Sequence, residues 1–398
     1  MPLDRWLPIF IVCIYLGLIL ESPVLMALPI SLLIILGLAS WWRKHSLDHL
    51  SYRRRLHYTR GFPGESIPVK IEIENRKLLP LTWLRAVDPW PKAVGPEGED
   101  VLAPSFSPDL GFLTHVFSLR WYERSRRTYN LIFRKRGVYP LGPCKLTSGD
   151  LFGIYEKTQE MNEVDRLTVF PALLPLEELL LHPEYPIGDQ RSRKRISEDP
   201  NQVMGVRDYH PEDNFRRVHW PATAKTGQLQ VKVYQPTSAQ VLIVCLNVST
   251  HQRYWEGIYP ELLEHMLSLA ALLVERGIQD GYRVGMISNG CLTNSDQPFH
   301  IQPGSSPQQL AYLLSALAGV TPVVVAPFDR LILREIPRVP FGATLLILTA
   351  VMNHELAETI IRLKKHERRI TLLSLSAESP PDIPGIQILH MPYKNSPN

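Results

Sequence analysis

At 398 residues the chain is too long for one ordinary hydrophobic core and calls for two or three domains. Its 43 basic and 39 acidic residues leave a formal charge of +4, too balanced to indicate a phosphate-backbone partner, so no nucleic acid is expected. Cys13, Cys144, Cys245 and Cys291 stand far apart without C-x-x-C spacing, which argues against a zinc site or disulfide framework.

The chain begins with two apolar runs, Trp6–Leu20 and Val24–Trp42, broken by Glu21-Ser22-Pro23. A bilayer needs roughly 20 residues for a helical span; the second run has 19 and the first 15. A signal peptide fits the first run poorly, because another apolar run follows at once and no small-residue cleavage site precedes Glu21. The reading is therefore a membrane hairpin over residues 1–45 with two transmembrane helices, touching lipid along both. Trp41 and Trp42 stand where an interfacial aromatic belt belongs. Arg43, Lys44, Arg53, Arg54, Arg55 and Arg60 follow, which by the positive-inside rule places the C-terminal domains in the cytoplasm.

Residues 52–171 carry a β pattern. Ile67, Val69, Ile71 and Ile73 alternate with polar residues and Pro68, while 116–121 and 129–133 read as further strands. Short strands with Gly and Pro punctuation predict a β-sandwich-like domain. Residues 172–202 read as a leucine-rich helix, Leu173–Leu181, then a polar linker, Asp189–Asn201. Arg191, Arg193, Lys194 and Arg195 in that linker suit a solvated loop, an acidic lipid surface or a partner.

The segment 203–235 concentrates unusual residues: Arg207, Asp208, Tyr209, Asp213, Arg216, Arg217, His219, Trp220, Thr223 and Lys225. Pro211-Glu212-Asp213 opens a short helical turn, Ala224–Gly227 reads as a turn, and Leu229, Val231 and Val233 alternate as a half-buried strand does. Three readings stay open here. Mutual salt bridges with aromatics packed on arginine stems would be structural; the same groups facing outward would recognise a partner; Asp208, Asp213 and His219 would serve a hydrolase. No aligned nucleophile, base and oxyanion site is legible for the last, and the His210/His219 spacing fits no familiar metal motif.

The run Arg207-Asp208-Tyr209, Asp213, Arg216-Arg217, His219-Trp220, Ala222-Thr223-Ala224 and Thr226-Gly227 resembles the signature of the DUF58 family. An earlier piece, Arg136-Gly137-Val138-Tyr139-Pro140-Leu141-Gly142 followed by Asp150-Leu151-Phe152-Gly153, is similar to a second signature of that family; without chemistry it reads as strand ends and a hairpin, with Asp150 capping the turn. The resemblance implies partnership with a MoxR-type AAA+ ATPase, and with a transglutaminase-like membrane protein, but no reaction.

Residues 236–398 alternate β and α. Gln240–Asn247 is a continuous apolar run of buried parallel-strand type, Pro260–Arg276 an amphipathic helix stopped by Gly277, and Ser306-Pro307 a helix start. Further strands are read at 282–288, 344–349 and 370–375, with a helix at 354–368. This predicts a doubly wound sheet, and the layout resembles a von Willebrand factor A domain. Such domains often bind Mg²⁺ through D-x-S-x-S and a later Asp. Here Asn247 and Ala350 stand at the carboxylate positions, Ser249 and Ser305 keep hydroxyls, and His251 replaces a serine, so the site reads as degenerate, with no metal and no cofactor. No G-x-x-x-x-G-K-[ST] loop is present. The combined expectation is a membrane-anchored adaptor or assembly factor acting with the ATPase; the alternative is a hydrolase of unknown substrate.

Overall fold

The first apolar run forms helix α1 (Leu7–Ile19) and the second forms α2 (Pro23–Ser46). The structure, a computed structural model, describes residues 7–393 except 152, 175–196, 212 and 238–240. Trp6, Phe152, Glu212, the leucine-rich helix from residue 175 onward and the basic linker up to residue 196 therefore lie outside the described residues. Among the described residues, only α2 is long and apolar enough to cross a membrane. At 1.5 Å per residue the 24 residues of α2 reach about 36 Å, while the 13 of α1 reach about 20 Å, short of a hydrocarbon core of roughly 30 Å. The expected fold class of two N-terminal transmembrane helices, and the two-span localisation with it, is corrected to one candidate span. The cause is local: the chain turns at Glu21 (φ 46°) and restarts at Pro23, so the apolar residues of the first run are not all helical.

The chain divides into two units, Met1–Val169 and Phe170–Asn398. In the first, α2 leads into strands β1 (Leu50–Leu56), β2 (Arg60–Gly61), β3 (Ser66–Asn75), β4 (Leu81–Pro91), β5 (Leu102–Pro104), β6 (Leu110–Leu119), β7 (Arg124–Ile132), β8 (Gly137–Leu141), β9 (Cys144–Gly149), β10 (Glu156–Met161) and β11 (Asp165–Val169). A three-stranded sheet β1-β3-β7 and a five-stranded sheet β10-β9-β4-β6-β5 share one core, with β2-β11-β8 as a third sheet. Along β3 the apolar Ile67, Val69, Ile71 and Ile73 point inward, as period-two alternation requires.

One charged pair lies inside this core. Arg54 donates Nε to Asp88 Oδ2 and Nη2 to Asp88 Oδ1, both at 2.7 Å, and Tyr52 donates its hydroxyl to Asp88 Oδ2 at 2.7 Å. Their side chains are 1% and 0% exposed for Arg54 and Asp88. Arg54 Nη1 reaches the Glu163 carbonyl and Asp165, tying β1 to the β10–β11 connection. Burial opposes the Arg54 charge, but its bonds to Asp88 outweigh that and raise its pKa. The arrangement explains Gly142 of the second signature: its φ is 97°, and a Cβ there would stand 2.6 Å from Arg54 Nη2.

The second unit opens with an antiparallel ribbon, β12 (Ser197–Asp208) and β13 (Gln230–Thr237), so Ser197–Asn201 of the expected linker is strand. Between them lies helix α3 (Trp220–Thr226), where a turn is predicted; His219 caps its start and Gly227 (φ 73°) its end. The remaining strands are β14 (Val241–Leu246), β15 (Arg283–Leu292), β16 (Pro298–Gly304), β17 (Val320–Val324), β18 (Thr344–Thr349), β19 (Arg369–Ser374) and β20 (Gln387–His390). They make one mixed sheet, β16-β15-β14-β18-β19-β20, with β17 also on β15; β16 and β17 run antiparallel to β15, the other pairings parallel. Helices α4 (Pro260–Gln279), α5 (Pro307–Gly319), α6 (Phe328–Glu335) and α7 (His354–Lys365) complete the unit. Gly277 does not stop α4. It lies within the helix, where a Cβ would meet Leu242 Cδ2 at 2.8 Å, so its role is close helix–strand approach.

Removing one member of a buried ion pair leaves the other charge unpaired and costs about 3–5 kcal/mol, whereas an apolar pair of similar volume is often neutral. Asp88→Ala is expected to lower the unfolding free energy by about that amount, and Arg54→Met with Asp88→Leu to recover most of it. Urea unfolding of the detergent-solubilised chain measures both; an Asp88→Ala chain as stable as wild type would contradict this account of the core.

Candidate functional site

The residues between β12 and β13 fold back as a head on the ribbon. Asp208 stands opposite Gln230 in the register. Gln230 is buried and central: its side-chain amide donates to Asp208 Oδ1 at 2.5 Å, its backbone N–H to Thr223 Oγ1 at 3.0 Å, and its carbonyl accepts the His219 N–H at 2.7 Å. Tyr209 N–H donates to the Leu229 carbonyl. Arg207 clasps Asp213 with two bonds, Nη1 to Oδ2 at 2.7 Å and Nη2 to Oδ1 at 2.6 Å, and the His210 N–H adds a third at 2.9 Å. The Arg207 guanidinium and the His210 amide hold the Asp213 carboxyl down at about 2. Asn214 accepts the Arg216 N–H and starts a 3₁₀ turn, Phe215–Arg217.

The sequence-predicted residues thus fall into two sets. Arg207, Asp208, Asp213, His219 and Thr223 shape the head. His219 Nδ1 accepts the Ala222 N–H at 3.0 Å, which leaves that nitrogen unable to act as a base while the cap holds. Hydrogen bonds of Asp208 and Asp213 run to Gln230 and Arg207, and among the described residues none joins either carboxylate to His219. The second set faces outward: Arg216, Arg217 and Lys225 are exposed, Phe215 is 58% exposed and Trp220 60%. The aromatics pack on one another: Tyr209 and Trp220 each meet the Phe215 ring edge-on at 6.1 Å.

A second polar group follows β14. Asn247 Nδ2 donates to Thr349 Oγ1 at 3.0 Å, and Asn247 Oδ1 accepts the Ser249 N–H at 3.1 Å and Asn289 Nδ2 at 3.0 Å. Asn289 Oδ1 takes the Val248 N–H. Asn247, Ser249, His251 and Asp329 line a cavity of about 50 Å³ here. Ala350 is buried beside Thr349 and offers no donor. Ser305 is not part of this group: it follows Gly304, which pairs with Val284 at the opposite end of β15. A hard dication wants several oxygens with carboxylates among them. Both polar atoms of Asn247 are committed within the protein, so these residues do not fit such an ion, and among the described residues no group of three or more His, Cys, Asp or Glu is placed to hold one.

Both polar groups fall largely within one recognised segment. Residues 205–329 match the family described as "Protein of unknown function DUF58". The head is the N-terminal part of this DUF58 segment, and the Asn247–Asn289 pair lies in its middle. A curated relative, "Uncharacterized protein YeaD" of Bacillus subtilis (strain 168), is 22% identical over 266 residues. The alignment covers 67% of this chain and 61% of YeaD, so the chain spans about three fifths of that relative. Among solved structures, the sporulation control protein Spo0M of Bacillus subtilis matches at 14% identity and a TM-score of 0.20, over 34% of this chain and 54% of that one. A cohesin module of a Clostridium perfringens family 33 glycoside hydrolase matches at 10% identity and 0.21, over 30% and 96%. Scores this low carry no argument.

Sequence reasoning missed Gln230 and Asn289. Gln230 meets Asp208 only once the β12–β13 register is set. Asn289 is joined to Asn247 only by the fold.

Because Trp220 is exposed, Trp220→Ala is expected to change stability by no more than about 0.5 kcal/mol. Thr223→Val leaves the Gln230 N–H without its acceptor and is expected to cost about 1–3 kcal/mol. Denaturant unfolding of the full chain compares the two; the reverse order of effects would contradict the placement of these side chains.

Proposed function

We propose that the chain is a membrane-anchored adaptor which docks a protein partner through the head of its DUF58 segment. One observation carries the reading: Phe215 and Trp220 are exposed on a head that Arg207, Asp208, Asp213, Thr223 and Gln230 hold together. Ordering that surface therefore costs little entropy on binding, and exposed aromatics beside arginines are the residue types that dominate interface energetics. The head's outward bases, Arg216, Arg217 and Lys225, suit a partner face with acidic residues. The first candidate partner is the MoxR-type AAA+ ATPase that the family resemblance implies, with a transglutaminase-like membrane protein as a further member of the assembly. The von Willebrand A-like layout of the C-terminal sheet then serves as a docking platform rather than a metal site.

The proposal includes topology. Helix α2 crosses the membrane once, and residues 43–60 behind it carry six Lys or Arg against one acid, which supports a cytoplasmic location for both units.

Affinity purification of the full chain from native membranes tests the adaptor. Wild type is expected to retain an AAA+ ATPase, identified by mass spectrometry, and the Phe215→Ser/Trp220→Ser double variant to lose it with unchanged membrane level. Equal recovery by both chains would overturn the reading.

A further inference from the structure

The end of the first unit beside α2 is unlike its other surfaces. Three turns converge there, two of them tied to the end of the helix and the residues just after it, and the third tied to one of those two. In the β3–β4 turn, Lys77 Nζ donates to the Ser46 carbonyl and, at 2.6 Å, to the Asp48 carbonyl, and the Arg76 N–H reaches the His49 carbonyl. The β6–β7 turn is locked to the first one: Asn75 Nδ2 donates to the Leu79 and Arg120 carbonyls at 2.9 Å, and the Tyr122 N–H to the Lys77 carbonyl. In the β9–β10 hairpin, Lys157 Nζ donates to the Lys44 carbonyl at 2.8 Å, and the Arg43 guanidinium lies 4.9 Å over the Tyr155 ring. The strand registers agree, since Leu81 pairs with Leu119 and Leu84 with Ser148, putting all three turns at one end of the five-stranded sheet.

The hairpin lies against the end of α2: Lys157 also reaches Asp48 Oδ1 at 3.3 Å, and Tyr155 sits under the Arg43 guanidinium. Buried Asp150 shapes it by accepting the Ile154 N–H at 3.0 Å and the Tyr155 N–H at 3.1 Å. Gly149 lets it close, because a Cβ there would meet the Tyr155 carbonyl oxygen at 2.6 Å. What the tip then presents is apolar: Leu151 is 46% exposed and Ile154 45%, while the flanking turns expose Leu78 at 73%, Trp121 at 63% and Tyr122 at 64%.

We infer that this end of the β unit is a second membrane contact, in which the Asp150–Tyr155 hairpin tip dips Leu151 and Ile154 into the interfacial zone of the bilayer beside α2. The inference rests on the reading of α2 as a membrane span. Its occupant is lipid because the face is continuous with the exit point of that helix. Tyr and Trp favour the headgroup level, where an apolar ring and a polar edge are both satisfied. Exposed Arg43, Lys44, Arg76 and Arg120 border the apolar residues and match the phosphates of anionic headgroups. The D-x-F-G piece of the sequence thereby gains a function: Asp150 holds the shape of a wedge whose neighbours touch lipid.

Depth-dependent quenching of the full chain in vesicles of phosphatidylcholine and phosphatidylglycerol tests this. Single cysteines replace Leu151, Ile154, Leu32 within α2, or Phe106 in the β5–β6 loop at the opposite end of the sheet, and each carries bimane; unsubstituted chain gives the background from native cysteines. All four positions are exposed, so the label displaces no core residue. Nitroxide near the headgroup should remove most emission at 151 and 154, nitroxide deep in the acyl chain should do so at 32, and 106 should be spared by both. Quenching at 32 with none at 151 and 154 would overturn the membrane contact while leaving the span of α2 intact. No quenching at 32 would overturn the span, and the contact with it.

Discussion

The last carbonyls of a helix have no partner within it, and at a membrane boundary an unsatisfied carbonyl is expensive. Here two lysines from the β unit supply the partners. Lys77 serves Ser46 and Asp48, and Lys157 serves Lys44. Burial pushes the Lys77 ammonium down to about 8, so it is still mostly protonated at neutral pH, the charge suited to the negative end of a helix dipole. Ser46 adds a bond from its own hydroxyl to the Arg43 carbonyl. Helix α2 and the first folded unit are therefore one piece rather than two joined by a linker: only Leu47–His49 separate α2 from β1.

From that clamp the order of the unit follows. β1 brings Tyr52 and Arg54 to Asp88 within a few residues of the helix end, and Arg54 reaches on to Asp165, so one guanidinium joins the start, middle and end of the unit. Both family signatures then divide in the same way. Gly137–Gly142 and Asp150 spend their chemistry on close approach and turn shape, as do Asp208, Asp213, His219 and Thr223 in the DUF58 head. The residues left over, Leu151 and Ile154 in one place and Phe215 and Trp220 in the other, are apolar and exposed. Polar groups build the two projections, and apolar groups meet what lies outside.

Much of this was legible where periodicity or capping carries the signal. Ser66–Asn75 alternates because one face meets a core, and Ser306 caps its helix by accepting the Gln309 N–H, as its sequence pattern predicts. The first apolar run was overstated as a span: its 15 residues, closed off by the turn at Glu21, yield a helix of 13, too short for a bilayer that needs roughly 20. Helix α3 was hidden by its own brackets, Pro221 and Gly227, which read as turn residues but here sit in the first turn and at the C-cap. Strands β16, β17 and β20 carry short or broken patterns and depend on edge pairing with strands already formed. Long-range partnerships such as Asp208 with Gln230 or Asn247 with Asn289 exist only once the sheet registers are set.

The central claim is that helix α2 and the β unit behave as one body through the Lys77 and Lys157 bonds. Segments that open together share one opening free energy in hydrogen exchange. Full chain in lipid nanodiscs should show the amides of Lys44–Asp48 and Glu156–Thr158 protected to the same degree, and Lys77→Met/Lys157→Met should release both together. Free exchange at Lys44–Asp48 while Glu156–Thr158 stay protected in the wild-type chain would contradict it.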